Sequence, residues 1–285
     1  MVRPPAFAGT FYPRAREACE QAVQAALPKV ASDEPGCIGA IAPHAGWRYS
    51  GPTAALAISS LAGASPETIV IFGAVHVVDR NEASLYPSGA WDTPLGSIEI
   101  DEELARQAAR ARGVIVDPGV HRREHSIEVL TPFIRALAPE ARIVPLMIRP
   151  GQQCDRIGRD VAAAAKQLGR RVVFVASTDL THYGPMFGFE PHGRGLAGVR
   201  WAKEVNDRRF IERVADFDAT GVVPEALAHQ NACGSGAVAA TIAAVAEWGA
   251  SSYRELDHVC SFERESHSGV EPLDSVGYEA GVFCR

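Results

Sequence analysis

The chain has 285 residues, of which 47% are hydrophobic and 22% are charged, and its formal net charge is −6. This composition is typical of a globular protein and excludes a disordered chain, a collagen-like fibre and a coiled coil. The acidic balance, with no basic stripe, argues against nucleic acid and anionic membranes as partners.

The N-terminus carries no apolar segment long enough for a secretory signal, and no stretch of the chain is long and apolar enough to predict a transmembrane helix. We therefore expect a cytoplasmic protein. Its six cysteines show no CxxC spacing, so we expect no zinc ribbon and reduced thiols: Cys19, Cys37, Cys154, Cys233, Cys260 and Cys284.

Short apolar strands and helices alternate along the chain. In chain order we expect a strand at 37–42, a helix at 52–62, a strand at 68–73, a hairpin at 91–100, a helix at 101–112, a short strand at 114–117, a helix at 126–137, a strand at 142–148, a helix at 155–168, a strand at 171–176, helices near 198–215 and 236–248, and extended segments near 253–262 and 277–284.

This alternation is typical of an α/β fold with a mainly parallel central sheet and helices on both faces. The hairpin and the C-terminal segments are expected to add antiparallel edge strands. Gly and Pro are spread along the whole length, so we expect one domain over residues 1–285.

Histidines follow several of the predicted strands. His44 comes shortly after the first strand, His76 after the second, and His182 after the strand that ends near residue 176. Ligands in open α/β sheets bind beyond the carboxyl ends of the strands. Three histidines delivered to that edge can therefore converge, although the sequence separates them widely.

Imidazoles at such an edge are candidate metal ligands, and a third ligand is needed to complete a site. Asp179 and Glu128 offer carboxylates, and Cys233 offers a thiolate. Cys233 precedes a Gly-rich helix start, where oriented N–H groups favour the thiolate as ligand or nucleophile. A small residue chosen for close packing is the alternative interpretation of Cys233.

Other side chains are candidates for supporting roles. His125 and Glu128 are three residues apart and would share a helix face. Trp47 and Tyr49 lie next to His44 and would line a substrate pocket or pack in the core. The P-loop, GxSxG and HExxH motifs are absent, which removes the common nucleotide, serine-hydrolase and zincin sites.

Six segments together resemble the Memo family, which includes the AmmeMemoRadiSam system protein B group. They are RPPAFAGTFYP, APHAGWRYSG, DTPLGSIEID, EHSIEVLTPFI, STDLTHYG and NACGSGAVAA. A seventh segment, IFGAVH, stands where the family has a strand followed by GPxHH, so Val77 replaces the second histidine of that motif. This departure suggests a reshaped pocket.

The resemblance implies a fold similar to class III extradiol ring-cleavage dioxygenases, which hold Fe(II) with two histidines and a carboxylate. It also implies that His44, His76 and Cys233 bind the metal, because the family pocket carries two histidines and a cysteine. A further histidine and aspartate of the family match His182 and Asp179. The thiolate leaves copper or zinc as alternatives to Fe(II).

The expected function is a metal-dependent oxidoreductase, a non-haem Fe(II) oxygenase that acts on O₂ and a small, aromatic-type substrate. His182, Asp179, Glu128 and His125 would carry catalysis, with His182 as an acid–base group whose tautomer Asp179 or Glu128 fixes. A non-catalytic binding protein with a protein partner and a zinc-dependent hydrolase are the alternatives. The oligomeric state stays open.

Overall fold

A computed structural model describes residues 1–27, 36–265 and 272–285 of the chain. The strands are β1 (Val2–Arg3), β2 (Cys37–Ala42), β3 (Thr68–Gly73), β4 (Ala83–Leu85), β5 (Ala90–Thr93), β6 (Gly96–Glu99), β7 (Val114–Val116), β8 (Arg142–Ile148), β9 (Val172–Ser177), β10 (His182–Tyr183), β11 (Ser252–Cys260) and β12 (Ser275–Cys284).

The helices are α1 (Arg16–Ala26), α2 (Trp47–Ala62), α3 (Glu102–Ala108), α4 (Thr131–Leu137), α5 (Cys154–Gln167), α6 (Leu196–Trp201), α7 (Arg208–Ala215), α8 (Val222–His229), α9 (Ser235–Glu247) and α10 (Ser261–Arg264). Shorter 3₁₀ turns cover Val120–Arg123, Glu128–Leu130 and Pro185–Phe187, and a π-helical turn, Ala202–Asp207, joins α6 to α7.

The main sheet has the strand order β10-β12-β2-β9-β3-β8-β4-β7, with β11 paired to β12. Its centre is parallel, because β2, β9, β3 and β8 pair in parallel, whereas β12 is antiparallel to β2 and β4 is antiparallel to β8. The predicted α/β class with a parallel centre and antiparallel edges is confirmed. The hairpin of β5 and β6 belongs instead to a separate three-stranded sheet with β1, so its expected place at the edge of the main sheet is wrong.

Apolar strands and small-residue helices build the core. Every residue of β2, β3 and β9 is buried, which explains why these strands are apolar without alternation. Helix α2 packs on β2 and β12, and α9 packs on β3 and β9. Helices α5 and α9 approach closely at Gly158, where a Cβ atom would lie 2.0 Å from the carbonyl oxygen of Ala240.

Several predicted bounds change in the structure. Helix α2 begins at Trp47, five residues before the expected start, and helix α8 was not predicted. The expected helix at 126–137 begins as a 3₁₀ turn at Glu128, because Pro132 suits the first turn of α4 and not a helix interior. His125 therefore lies in a loop, and the prediction that it shares a helix face with Glu128 is wrong.

The cysteines also differ from expectation. Cys37 at the start of β2 and Cys284 at the end of β12 face each other across the two strands and form a disulfide, so the expectation that all thiols are reduced is wrong for this pair. The remaining four cysteines are free. Within the described residues, we find no helix with the length and apolar character needed to cross a membrane.

Candidate metal centre

Loops at the carboxyl ends of three neighbouring parallel strands form the candidate site. His44 lies two residues beyond β2, His76 three residues beyond β3, and Asp179 two residues beyond β9. Strand β9 pairs with β2 on one side and with β3 on the other. These side chains therefore meet at one sheet edge, as the sequence predicts.

A third imidazole joins the first two. The ring centroids of His44 and His76 lie 5.0 Å apart, and those of His76 and His125 lie 4.5 Å apart in a stacked arrangement. One ring nitrogen from each of the three histidines lies within 4.8 Å of the others. Imidazole nitrogens at this separation can hold a single metal ion.

Cys233 lies against the same centre. Its Sγ atom is 3.3 Å from His44 Nε2 and also contacts His76, and the backbone N–H of Asp179 donates to Sγ at 3.3 Å. The loop approaches β9 closely because Gly234 has no Cβ, which would lie 2.4 Å from the carbonyl oxygen of Ser177. The donor set available to a metal is thus three imidazoles with a thiol beside two of them.

The tautomer of His44 follows from its neighbours. The Ser177 hydroxyl donates to the carbonyl oxygen of Ser126 at 2.5 Å, so its oxygen can only accept from His44 Nδ1 at 2.8 Å. His44 therefore carries its proton on Nδ1 and presents the Nε2 lone pair to the centre. A hydrogen bond on the distal ring nitrogen is the usual way in which proteins orient a histidine ligand.

Glu124 performs the same task for His76. Its carboxylate accepts from the backbone N–H of His76 at 2.6 Å, from His76 Nδ1 at 3.0 Å and from the N–H of Ser126 at 2.9 Å. The side chain of Glu124 is 2% exposed, and His125 Nδ1 lies 3.4 Å from the same carboxylate. One buried carboxylate thus joins the loop after β3 to the loop that carries His125.

The three imidazoles of the centre differ in pKa. Burial holds the pKa of His44 well below its usual range, and burial beside the His76 charge lowers the pKa of His125 to about 4. Burial lowers the pKa of His76 too, but hydrogen bonds to Cys233 and Glu124 outweigh it and raise that pKa to about 10. Of the three imidazoles, His76 is therefore the one whose charged form its surroundings favour.

Asp179 and His182 occupy the same edge with different partners. The Asp179 carboxylate accepts from the backbone N–H of His44 at 2.7 Å, and its burial raises its pKa. His182 Nδ1 donates to the carbonyl oxygen of Leu180 at 3.0 Å, and its Nε2 has no hydrogen-bond partner among the described residues. The prediction that Asp179 or Glu128 fixes the His182 tautomer is wrong, because the backbone of Leu180 does so.

Glu128 has a structural partner that sequence reasoning did not identify. Its fully buried carboxylate pairs with Arg3 Nη1 at 2.7 Å and accepts from the N–H groups of Ala6 and Phe7 and from the Tyr12 hydroxyl at 2.8 Å. Both oxygens are therefore committed to the N-terminal segment. The expected catalytic role of Glu128 is replaced by a role in holding that segment against the site.

The predicted aromatic pocket residues also lie elsewhere. Trp47 is 8% exposed, stacks on Phe133 with ring centroids 4.1 Å apart and donates its indole N–H to the carbonyl oxygen of Val129. It is a core residue, so its predicted place in the pocket is wrong. Tyr49 lines a cavity of about 450 Å³ that contains neither Cys233 nor His182 among its lining residues.

The aromatic neighbours of the centre come from the N-terminal segment and from the loop after β10. The rings of Phe7 and Phe11 pack on His125, with centroid distances of 5.5 and 4.7 Å. On the other side, the rings of Phe187 and His182 pack edge to face with centroids 5.0 Å apart. Both residues line a cavity of about 400 Å³ that is also lined by Cys233.

Sequence reasoning underrated two residues, Glu124 and Ser177. Glu124 directly precedes His125 in the EHS segment, whose local pattern fits a helix start with a local ion pair as well as a carboxylate that orients an imidazole. Ser177 opens the STDLTHYG segment that was already singled out for Asp179 and His182. A buried polar residue at the end of an apolar strand is the signal that could have identified Ser177, because such a hydroxyl must find a partner.

Comparisons with known proteins match most or all of the chain. Residues 3–282 match the model of a family described as Memo-like protein. MEMO1 family proteins of Thermococcus onnurineus and Methanopyrus kandleri are 36% and 37% identical, and in both cases the alignment covers 100% of each chain. An uncharacterised protein of Escherichia coli K12 superposes with a TM-score of 0.52 at 15% identity, covering 86% of this chain and 99% of that chain, which shows a shared fold.

Proposed function

This chain belongs to the Memo-like protein family, and we propose that it is a metal-dependent oxidoreductase with a single metal ion at His44, His76 and their neighbours. The observation that supports this most is the convergence of three imidazole nitrogens within 4.8 Å beside the Cys233 thiol. Such convergence brings four side chains of types that can bind a metal from distant parts of the chain to one point, which supports the proposal.

The donor set fits a transition metal. His44 and His76 each use Nδ1 for a hydrogen bond to Ser177 or Glu124, so their Nε2 atoms are the ones that would bind the ion. Imidazoles suit iron, copper and zinc, whereas a thiolate favours zinc and copper more than a carboxylate does. We propose Fe(II) as the working metal, with either His125 or Cys233 as third ligand.

A metal with open coordination positions would supply a place where O₂ and a small organic substrate meet. The chain itself would supply the other functions. His182, with Nδ1 held by Leu180, has Nε2 available to donate or accept a proton on the cavity side. Phe7 and Phe11 cover one face of His125 and reduce access of water from that direction.

The proposal is tested by metal analysis of protein purified without oxygen and loaded with Fe(II). We expect about one iron per chain in the wild type, a loss of that iron in the His44→Ala/His76→Ala variant, and no loss in the control variant His229→Ala, whose ring pairs with Arg209 away from the centre. Equal metal content in the wild type and the double variant would refute the metal site.

Oxygen uptake then tests the reaction class. With catechols and aromatic amines as substrates, we expect consumption that requires both the metal and the organic substrate. The contact between Cys233 and His44 favours zinc as the second candidate, and a zinc-dependent hydrolase would need no O₂. Tightly bound zinc with no oxygen uptake would favour that hydrolase, and metal-free protein that binds a ligand without turnover would favour a binding protein.

A further inference from the structure

The cavity that contains Cys233 and His182 has a distinctive lining. It measures about 400 Å³, and most of its wall is apolar, including Leu180, Phe187 and Leu227. Among the described residues that line it there is no lysine, arginine, aspartate or glutamate. Burying an ionised group without a partner is costly, so this wall disfavours a ligand that carries a charge on the part it buries.

The mouth of the cavity is apolar as well. Leu227 on α8 is 70% exposed, and Phe187 in the 3₁₀ turn after β10 is 38% exposed. Large apolar side chains at the entrance of a cavity gain contact when an apolar molecule enters. The rim and the wall of the cavity therefore both favour an apolar ligand.

Gln230 is an exposed polar residue of the lining, whereas Ser235 is buried and His182 is half-buried. It follows α8 with a left-handed backbone, φ 49° and ψ 43°, at a helix end where glycine or asparagine is usual. The cap itself needs only the backbone, since the N–H of Gln230 donates to the carbonyl oxygen of Ala226. A glutamine in this conformation is thus not explained by the helix end, and Gln230 is one of the residues that line the cavity.

We propose that this cavity binds an uncharged, mainly apolar small molecule and that the Gln230 amide hydrogen-bonds its polar group at the rim. The proposal rests on the proposed function in that the ligand would be the substrate of the adjoining metal centre. The binding step itself needs only the cavity, which allows the two proposals to be tested separately.

The test compares two probes of the same shape, neutral 2-naphthol and anionic 2-naphthalenesulfonate, whose sulfonate is a poor metal ligand. Dissociation constants are measured by calorimetry at neutral pH. We expect 2-naphthol to bind at least about tenfold more tightly, because no lysine or arginine among the described lining residues can pair with the sulfonate. Leu227→Arg adds a guanidinium at the exposed rim and is expected to reverse that preference.

The variant Gln230→Gly distinguishes an effect on ligand binding from an effect on stability. The substitution relieves the left-handed backbone, so the melting temperature should rise while 2-naphthol binds about fivefold more weakly after loss of one hydrogen bond. The matched control is Ser65→Gly, since Ser65 also has a positive φ, 45°, and lies after α2 away from this cavity. It should raise the melting temperature and leave the dissociation constant unchanged.

The outcomes distinguish the two proposals. Equal affinity for the two probes, no measurable binding, or wild-type affinity in Gln230→Gly would overturn the cavity assignment. In the His44→Ala/His76→Ala variant we expect 2-naphthol binding to persist. Wild-type protein that holds metal but not 2-naphthol would refute this inference alone, whereas protein that binds 2-naphthol but no metal would refute the metal-dependent function alone.

Discussion

Replacing Glu124 by glutamine should weaken metal binding without dismantling the fold. The wild-type carboxylate accepts three hydrogen bonds, two of them from His76 and one from the N–H of Ser126. Glutamine has the same shape, but its NH₂ group would face an N–H donor in place of an acceptor oxygen. At least one bond to an ionised acceptor is lost, and His76 loses its negative partner.

The magnitude follows from these contacts. A hydrogen bond to a charged group contributes about 1.5–3 kcal/mol, and the side chain of Glu124 is 2% exposed, so solvent cannot replace it. Loss of a carboxylate that orients a histidine ligand typically weakens metal binding about 10–100-fold. We expect Glu124→Gln to fall in that range for Co(II), measured by absorption titration of the metal-free protein.

The matched control is Asp101→Asn. Asp101 is also a buried carboxylate, and it accepts hydrogen bonds from Thr68 and Leu104 near the start of β3, at the opposite end of that strand. Both variants should lose stability in urea, but only Glu124→Gln should lose Co(II) affinity. A Glu124→Gln dissociation constant within twofold of the wild type, or an equal loss in Asp101→Asn, would refute the assignment of Glu124 as the residue that orients His76.

Three further predictions follow from buried or functional groups. Arg3→Ala should lower the free energy of unfolding by about 3–5 kcal/mol in urea titrations, because it leaves the buried Glu128 carboxylate without its 2.7 Å partner; a loss below about 1 kcal/mol would contradict this. Burial raises the pKa of Glu279 to about 8. The folded state therefore holds a proton that the unfolded state releases near pH 4.3. The stability of the wild type should accordingly fall as the pH rises between these two values. Glu279→Gln should remove that fall, so its free energy of unfolding should exceed that of the wild type by more than about 1 kcal/mol at pH 8 but not at pH 4. Thermal melts at both pH values measure this, and parallel curves of stability against pH for the two proteins would rule it out. His182→Ala should retain the metal and lose turnover on the order of 10²–10⁴-fold, and a loss of metal as complete as in His44→Ala would instead make His182 a ligand.

Part of the site could be predicted because it depends only on local pattern and on sheet geometry. His44, His76 and Asp179 each follow an apolar strand, and parallel strands bring their carboxyl ends to one edge. That argument uses only the position of each residue just after its strand, and it does not depend on how far apart the residues are in sequence. The same reasoning predicted the parallel centre of the sheet, because β2, β3 and β9 are apolar on both faces.

Residues outside those strands required the folded chain. The loop with His125 contacts the centre through partners that are distant in sequence, since the Glu124 carboxylate joins it to His76, 48 positions away, and Ser126 joins it to Ser177. Glu128 lies three residues after His125, yet its partner is Arg3 near the N-terminus. Nothing in the local pattern of this segment distinguishes an acid that orients a ligand from one that holds a distant segment, since both are buried carboxylates beside apolar residues.

The sequence by itself determined the fold class, the family, and the sheet edge at which the chemistry-bearing side chains collect. The tertiary structure decided which hydrogen-bond donor each buried carboxylate serves, that Trp47 packs in the core, and that Gln230 lines the cavity beside Cys233. The physical reason is that period and composition specify which face of an element is buried. The partner on that face comes from a different part of the chain, and only packing brings the two together.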